Sequence, residues 1–207
     1  MINLIEIYLD ELYPNPVCEL NYNKDYELLI AVVLSAQTTD KRVNKVTPVL
    51  FSKYPTLKEL KNADIIDIED IIKEIGTYRK KAYFIKEIAR VLDEEFEGKV
   101  PNDRSVLESL PGVGRKTCNV VLSVIYNVPA IAVDTHVSRV SKRLNLARKN
   151  DDVSIIEKKL MKKFRKEEWS KRHHQMVLFG RYYCKAQKPS CKTCKLINIC
   201  KEKNKEI

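Results

Sequence analysis

Glycine is scarce in this chain: five residues in 207. Stretches that alternate apolar and polar residues between turn signals are equally hard to find. Together these absences exclude a β-rich fold and point to helices almost throughout. No apolar run reaches the ~18 residues needed to span a bilayer, so no membrane partner is expected. The opening Met1-Ile2-Asn3-Leu4-Ile5-Glu6 lacks the basic segment and long apolar core of a secretory signal. An intracellular, cytoplasmic protein with reduced thiols is the expectation, and disulfides are disfavoured.

What the chain does hold is apolar surface and positive charge. Hydrophobic residues make up 44%, enough for a buried core and too many for a disordered chain. Lysine and arginine number 38 against 28 acidic residues, a formal net charge of +10. Such a balance favours a polyanionic partner, although a lysine-rich proteome alone would give the same excess.

The helical periodicity can be followed along the chain. Tyr26 to Ala36 reads as an apolar, buried helix, and Asp40 to Tyr54 as an amphipathic one capped by Thr39 or Asp40. Pro55-Thr56 starts a short helix, Ile65 to Ile75 forms another stopped by Gly76, and Arg79 to Phe96 is long and amphipathic. Ser105 is expected to cap a short helix ending at Leu110. Further helices are expected over Arg115 to Tyr126, Asp134 to Leu144, Ser154 to Arg165 and Lys171 to Cys184, with a frayed tail from Lys201 to Ile207.

Four of the six cysteines lie close to the C-terminus: Cys184, Cys191, Cys194 and Cys200, separated by six, two and five residues. Only Cys18 and Cys118 lie elsewhere. Four thiolates gathered this tightly suit a metal centre, and a [4Fe–4S] cluster takes four cysteine ligands. A zinc ribbon usually shows two C-x-x-C pairs, and here there is one close pair, Cys191 and Cys194. On spacing alone iron–sulfur and zinc stay about equally open.

A second motif lies about 70 residues upstream: Leu110-Pro111-Gly112-Val113-Gly114-Arg115-Lys116-Thr117. A helix ends, two glycines make a hairpin, and another helix begins at once. Glycine lets the backbone take positive φ and approach a ligand closely. The N–H groups at a helix start carry the positive end of the dipole, so the turn is suited to cradle a phosphate. A plain αα-corner would look the same. The adjoining Arg115-Lys116 and the segment Ile131-Ala132-Val133-Asp134-Thr135-His136-Val137 sharpen the reading.

With the 6-2-5 cysteine spacing, these segments resemble the endonuclease III family: helix-hairpin-helix DNA glycosylases that carry a [4Fe–4S] cluster. Leu34-Ser35-Ala36-Gln37-Thr38-Thr39-Asp40 and Leu178-Phe179-Gly180-Arg181-Tyr182 match as well, so the resemblance runs from about Leu28 to Cys200. It implies an all-α, two-lobed fold. A six-helix lobe over residues 18–128 would hold the hairpin, and residues 1–17 with 129–207 would form the cluster lobe, with DNA in the cleft between. The expected partner is double-stranded DNA with damaged bases or abasic sites, the protein a monomer associated with the nucleoid. With a cluster of about −2 on four thiolates the net charge would remain roughly +8.

The resemblance also assigns roles. Lys116 would be the nucleophile that attacks the sugar C1′, expels the base and leaves a Schiff base. Attack requires the neutral amine, which a helix N-terminus, a neighbouring arginine and desolvation favour. Without the resemblance Lys116 would read as a solvated, phosphate-touching lysine. Asp134 would stabilise positive charge on the sugar or shuttle a proton, and it is equally suited to cap the helix starting at Thr135. A damaged base must be flipped out of the duplex, and Gln37 falls where the family places the side chain that fills the gap. The family's second filler, often leucine, falls on Thr77, which offers less apolar surface to wedge between bases; Tyr78 beside it is suited to stacking. Gly112, Val113, Gly114 and Arg115 would contact the DNA backbone. Lys185 and Lys188, in the loop between Cys184 and Cys191, would face phosphate, and the cluster would be structural. His136 and Cys118 read as packing residues.

The function so implied is a bifunctional DNA glycosylase and abasic-site lyase for oxidised pyrimidines. Mismatch-specific thymine or adenine glycosylases share the scaffold but typically lack this lysine. A non-catalytic iron–sulfur DNA-binding protein would leave Lys116 and Asp134 idle, and an electron carrier suits neither the charge nor the long helical body.

Overall fold

A computed structural model describes residues 1–205, and the last two residues of the expected frayed tail lie outside them. The described residues form eleven α-helices and no strand: α1 (Ile2–Leu12), α2 (Asp25–Leu34), α3 (Asp40–Lys53), α4 (Leu57–Asn62), α5 (Ile65–Ile72), α6 (Tyr78–Glu95), α7 (Arg104–Ser109), α8 (Arg115–Tyr126), α9 (Thr135–Arg143), α10 (Val153–Lys163) and α11 (Trp169–Leu178). The all-α expectation therefore holds. None of these helices is long and apolar enough to cross a membrane.

The chain divides into two compact units, one continuous over Glu19–Tyr126 and one that joins Met1–Cys18 to the chain from Asn127 onward. In the continuous unit α2 is the central helix: every residue from Tyr26 to Leu34 is buried, including Glu27. A helix that is apolar on all sides can only sit inside a core. It packs against α3, α6 and α8. Start signals work as chemistry predicts: Thr39 accepts from the Arg42 amide, and Thr56 and Glu59 form a capping box. The cap of α7 differs from expectation. Asp103 accepts from the Val106 amide at 3.0 Å, and Ser105 instead donates its hydroxyl to Asp103.

The discontinuous unit has its own core, with Ile5, Tyr8 and Leu9 of α1 packed among Val137, Val140, Ile156, Leu160 and Phe179. The sequence reading did not assign α1. Its buried face is only Ile5, Tyr8 and Leu9, and it is fastened by polar contacts: Arg172 of α11 is 3% exposed and grips the Asp10 carboxylate at 2.8 and 3.2 Å, while Gln175 reaches the same carboxylate at 2.9 Å. The helix expected to reach Cys184 stops at Leu178, and Phe179–Tyr183 winds on in the wider π form, closed by the Cys184 amide on the Phe179 carbonyl at 2.7 Å. Residues 201–205 are not frayed. The Lys201 amide donates to the Arg143 carbonyl at 2.7 Å, Glu202 pairs with Arg143 at 2.6 Å, and Lys205 reaches the Ile197 carbonyl at 3.1 Å.

Candidate DNA-repair site

In the continuous unit the hairpin joins α7 to α8. Val113 is buried and anchors the turn, its amide donating to the Leu110 carbonyl at 3.1 Å. The two glycines do different things. Gly112 has φ +79, and a Cβ there would stand 2.5 Å from the Phe84 ring and 3.1 Å from Val33; it lets the turn press onto α6 and α2. A Cβ on Gly114 would meet nothing within 4 Å. Its carbonyl takes the first hydrogen bond of α8, from the Cys118 amide at 2.9 Å. Arg115 and Lys116 follow in the first helical turn, both exposed, so this helix start presents two cations and its own dipole to solvent. Cys118 is fully buried as a small core residue, and burial pushes its thiol up.

Gln37 and Thr77 lie on neighbouring turns of the same unit. Both are exposed and both have left-handed backbones, φ 55 and 57. A Cβ built on Gly76 would lie 3.6 Å from the Gln37 carbonyl. Thr77 Oγ1 donates to the Gly76 carbonyl at 2.6 Å, and the ring of Tyr78 lies under the Arg79 guanidinium at 5.1 Å. Lys81, which the sequence reading passed over, ties these turns together. Its position in the buried stripe Lys81, Ala82, Ile85, Ile88, Ala89 and Leu92 was the available signal.

In the discontinuous unit Asp134 caps α9, accepting from the Val137 amide at 2.7 Å through Oδ1, and no described residue bonds its Oδ2. The capping expectation is met. Two residues on, His136 packs on Gly180, where a Cβ would come within 2.8 Å of the histidine Cβ; only glycine lets α9 approach so closely. His136 Nδ1 lies 3.2 Å from Arg139 Nη2 and so acts as acceptor. Arg139 also donates to the carbonyls of Gly180 and Cys184 at 2.6 and 3.1 Å. Burial pulls this guanidinium down from its ordinary value.

The four expected metal ligands sit below this helix, each half-buried. Arg143 Nη1 lies 3.4 Å from Cys184 Sγ, the Glu202 amide 3.5 Å from Cys200 Sγ, and the Leu196 amide bonds Cys194. Burial pushes the Cys184 and Cys194 thiols up, and the charges of the other three cysteines act on Cys194 in the same sense. Thiols crowded in this way resist ionising together unless a metal centre holds them as thiolates. N–H groups that donate to sulfur offset the negative charge such a centre places on its thiolates. Among the described residues no three His, Cys, Asp or Glu side chains are arranged around a single metal ion. A four-iron cluster asks less convergence, because each cysteine holds its own iron. Lys185 and Lys188 are exposed on the loop that follows Cys184, which Arg143 fastens through the Lys185 carbonyl at 2.7 Å.

A helix-hairpin-helix turn within an all-helical body defines a class of DNA-repair protein. The family profile described as HhH-GPD superfamily base excision DNA repair protein matches residues 30–166. Endonuclease III of Bacillus subtilis (strain 168) is 49% identical over 210 residues, spanning 99% of this chain and 96% of its own. Endonuclease III of Escherichia coli (strain K12) is 44% identical over 197 residues, spanning 95% and 93%. Among solved structures, a trapped endonuclease III–DNA covalent intermediate superposes with TM-score 0.92 at 50% identity, over 98% of this chain and 96% of that one. A thermostable thymine-DNA glycosylase superposes at 0.80 with 24% identity, a likeness of fold alone. The chain belongs to the endonuclease III family.

Proposed function

We propose that Lys116 is the nucleophile of this enzyme. The protein is a base excision repair enzyme, a DNA glycosylase and abasic-site lyase that acts on damaged pyrimidines in DNA; oxidised pyrimidines are the lesion class assigned here. The Lys116 amine attacks C1′ of the damaged nucleoside, and the base leaves with the pair of electrons of its C–N bond and takes a proton. Opening of the sugar ring at O4′ then gives an iminium between Nζ and C1′. Loss of a C2′ proton expels the 3′ phosphate and cuts the strand, and water releases the lysine. The observation that carries this reading is the exposed Lys116 in the first turn of α8, two residues after a glycine that leaves open space for a DNA backbone. Water around this amine leaves only when DNA covers it.

Asp134 is assigned the electrostatic role. Its cap bond holds the carboxylate in one orientation and leaves Oδ2 to face positive charge developing on the sugar or to pass a proton. Its charge does not make the lysine a better nucleophile, because a nearby anion favours the ammonium form. Gln37 and Thr77, with Tyr78, are assigned to the space vacated by the flipped base. Gly112, Val113, Gly114, Arg115, Lys185 and Lys188 are assigned to the DNA backbone. The two units are proposed as the hairpin and cluster lobes, and repair of chromosomal DNA places the protein with the nucleoid.

Cys184, Cys191, Cys194 and Cys200 are proposed to hold a [4Fe–4S] cluster. The N–H donors on three of the sulfurs support this. Its contribution is structural: it ties both ends of the lysine-bearing loop to one point. Borohydride reduction with abasic-site DNA tests the central claim. The wild type is expected to form a covalent adduct and Lys116→Ala none, with binding retained; an adduct that persists in the variant would assign the chemistry to another amine.

A further inference from the structure

Lys81 occupies a position that the helical pattern reserves for an apolar side chain. It lies on the buried stripe of α6, four residues before Ile85, and is 4% exposed. An ammonium buried without partners is strongly disfavoured. Three partners are supplied from one place: Nζ donates to the carbonyls of Leu34 at 2.9 Å and Ala36 at 2.6 Å and to Thr38 Oγ1 at 3.3 Å. These acceptors lie at the last residue of α2 and just beyond it, where the helix dipole is negative. They also bracket Gln37. Burial draws the amine down to about 8, so these contacts work against a real desolvation cost.

The backbone of Lys81 reaches the second turn. Its amide donates to the Thr77 carbonyl at 3.1 Å. One residue therefore holds both Gln37 and Thr77, two exposed non-glycine residues in the left-handed region. Such a conformation is disfavoured for any residue with a Cβ and persists only where its surroundings enforce it.

We infer that Lys81 is a positioning residue for base extrusion, its side chain holding the 34–38 turn, against the Gly76–Thr77 turn that its amide anchors, so that Gln37 is presented ready to enter the duplex. The inference rests on the glycosylase reading above. It assigns Lys81 no contact with DNA and no part in bond-making.

The test uses the full chain loaded with its metal centre, and a duplex carrying 5-hydroxycytosine with 2-aminopurine beside it. Lys81→Met and Thr38→Val are each made alone and with Gln37→Ala. Single-turnover excision is measured together with the fluorescence step that reports unstacking. Lys81→Met is expected to slow excision and shrink the step by about tenfold in the parent, but by less than about twofold when Gln37 is already alanine. Thr38→Val, which removes one acceptor and keeps the lysine, is expected to show the same dependence at about two- to threefold and secures the result if Lys81→Met folds poorly. Equal losses in both backgrounds would mean that Lys81 only supports the fold, and would overturn the inference while leaving the glycosylase assignment standing. A wild type that excises nothing would remove the assignment and this inference with it.

Discussion

Substituting alanine for each hairpin glycine in turn should separate folding from function. At Gly112 the backbone is left-handed at φ +79, which costs an alanine roughly 1 kcal/mol. The new methyl would also stand 2.5 Å from the Phe84 ring and 3.1 Å from Val33, and overpacking of this kind costs about 1–3 kcal/mol. The sum is about 2–4 kcal/mol. With a urea dependence of about 2 kcal/mol per molar, the unfolding midpoint should fall by 1 M or more. At Gly114 a methyl meets nothing within 4 Å, and the penalty is at most the roughly 1 kcal/mol by which alanine is a poorer helix cap. Urea titrations followed by far-UV circular dichroism measure the first effect. Fluorescence anisotropy on a duplex with an abasic analogue measures the second, where Gly114→Ala is expected to bind about tenfold more weakly, about 1.4 kcal/mol. If Gly114→Ala lost as much stability as Gly112→Ala, or bound DNA as well as the parent, the division of labour argued from the geometry would be wrong.

Asp134→Asn keeps a capping side chain, so unfolding should shift by less than about 0.5 kcal/mol while single-turnover base release slows by about a hundredfold or more; an unchanged rate would remove Asp134 from the chemistry. Cys194→Ser should give colourless protein with a lower unfolding temperature, and a variant that keeps full visible absorbance and iron content would contradict four-cysteine ligation. Asp10→Asn tests the tie between α1 and α11. Burial alone would raise this carboxyl, but hydrogen bonds from Arg172, Lys171 and Gln175 outweigh it and hold it well below the usual range. A depressed folded pKa means stability that is present above the unfolded value of about 3.9 and lost as pH falls through the folded one. The variant should therefore be less stable by about 1–2 kcal/mol at pH 7, after discounting for a side chain that is 39% exposed. The gap should close as pH drops below about 4, and a gap that persisted in acid would refute the ionic account.

The residues that declared themselves in the sequence are those whose local chemistry is decisive. Gly112 and Gly114 sit between two amphipathic runs, and α8 falls where its periodicity puts it, Arg115–Tyr126. Asp134 is legible as a cap because the apolar positions Val137 and Val140 begin one turn later. What stayed hidden depends on distant partners. The docking of α1 adds to its three buried side chains a tie from Asp10 to Arg172, 162 residues away. Aspartate and serine are both good cap residues, and only the backbone geometry selects Asp103 over Ser105. The π turn at Phe179–Tyr183 follows from Cys184 bonding back to Phe179, and the fastening of residues 201–205 follows from Arg143. Lys81 stood in plain sight on an apolar stripe; its meaning required the turn at Leu34 to Thr38.

The discontinuous unit imposes an order on biosynthesis. Residues Glu19–Tyr126 can condense as soon as they leave the ribosome, whereas α1, made first, must wait for α11. At roughly 5–20 residues per second, the 162 residues between Asp10 and Arg172 take about 8–30 s to translate. Throughout that interval the helix that carries Asp10 has no Arg172 to dock on, and Cys184, Cys191, Cys194 and Cys200 follow only after α11 has been made.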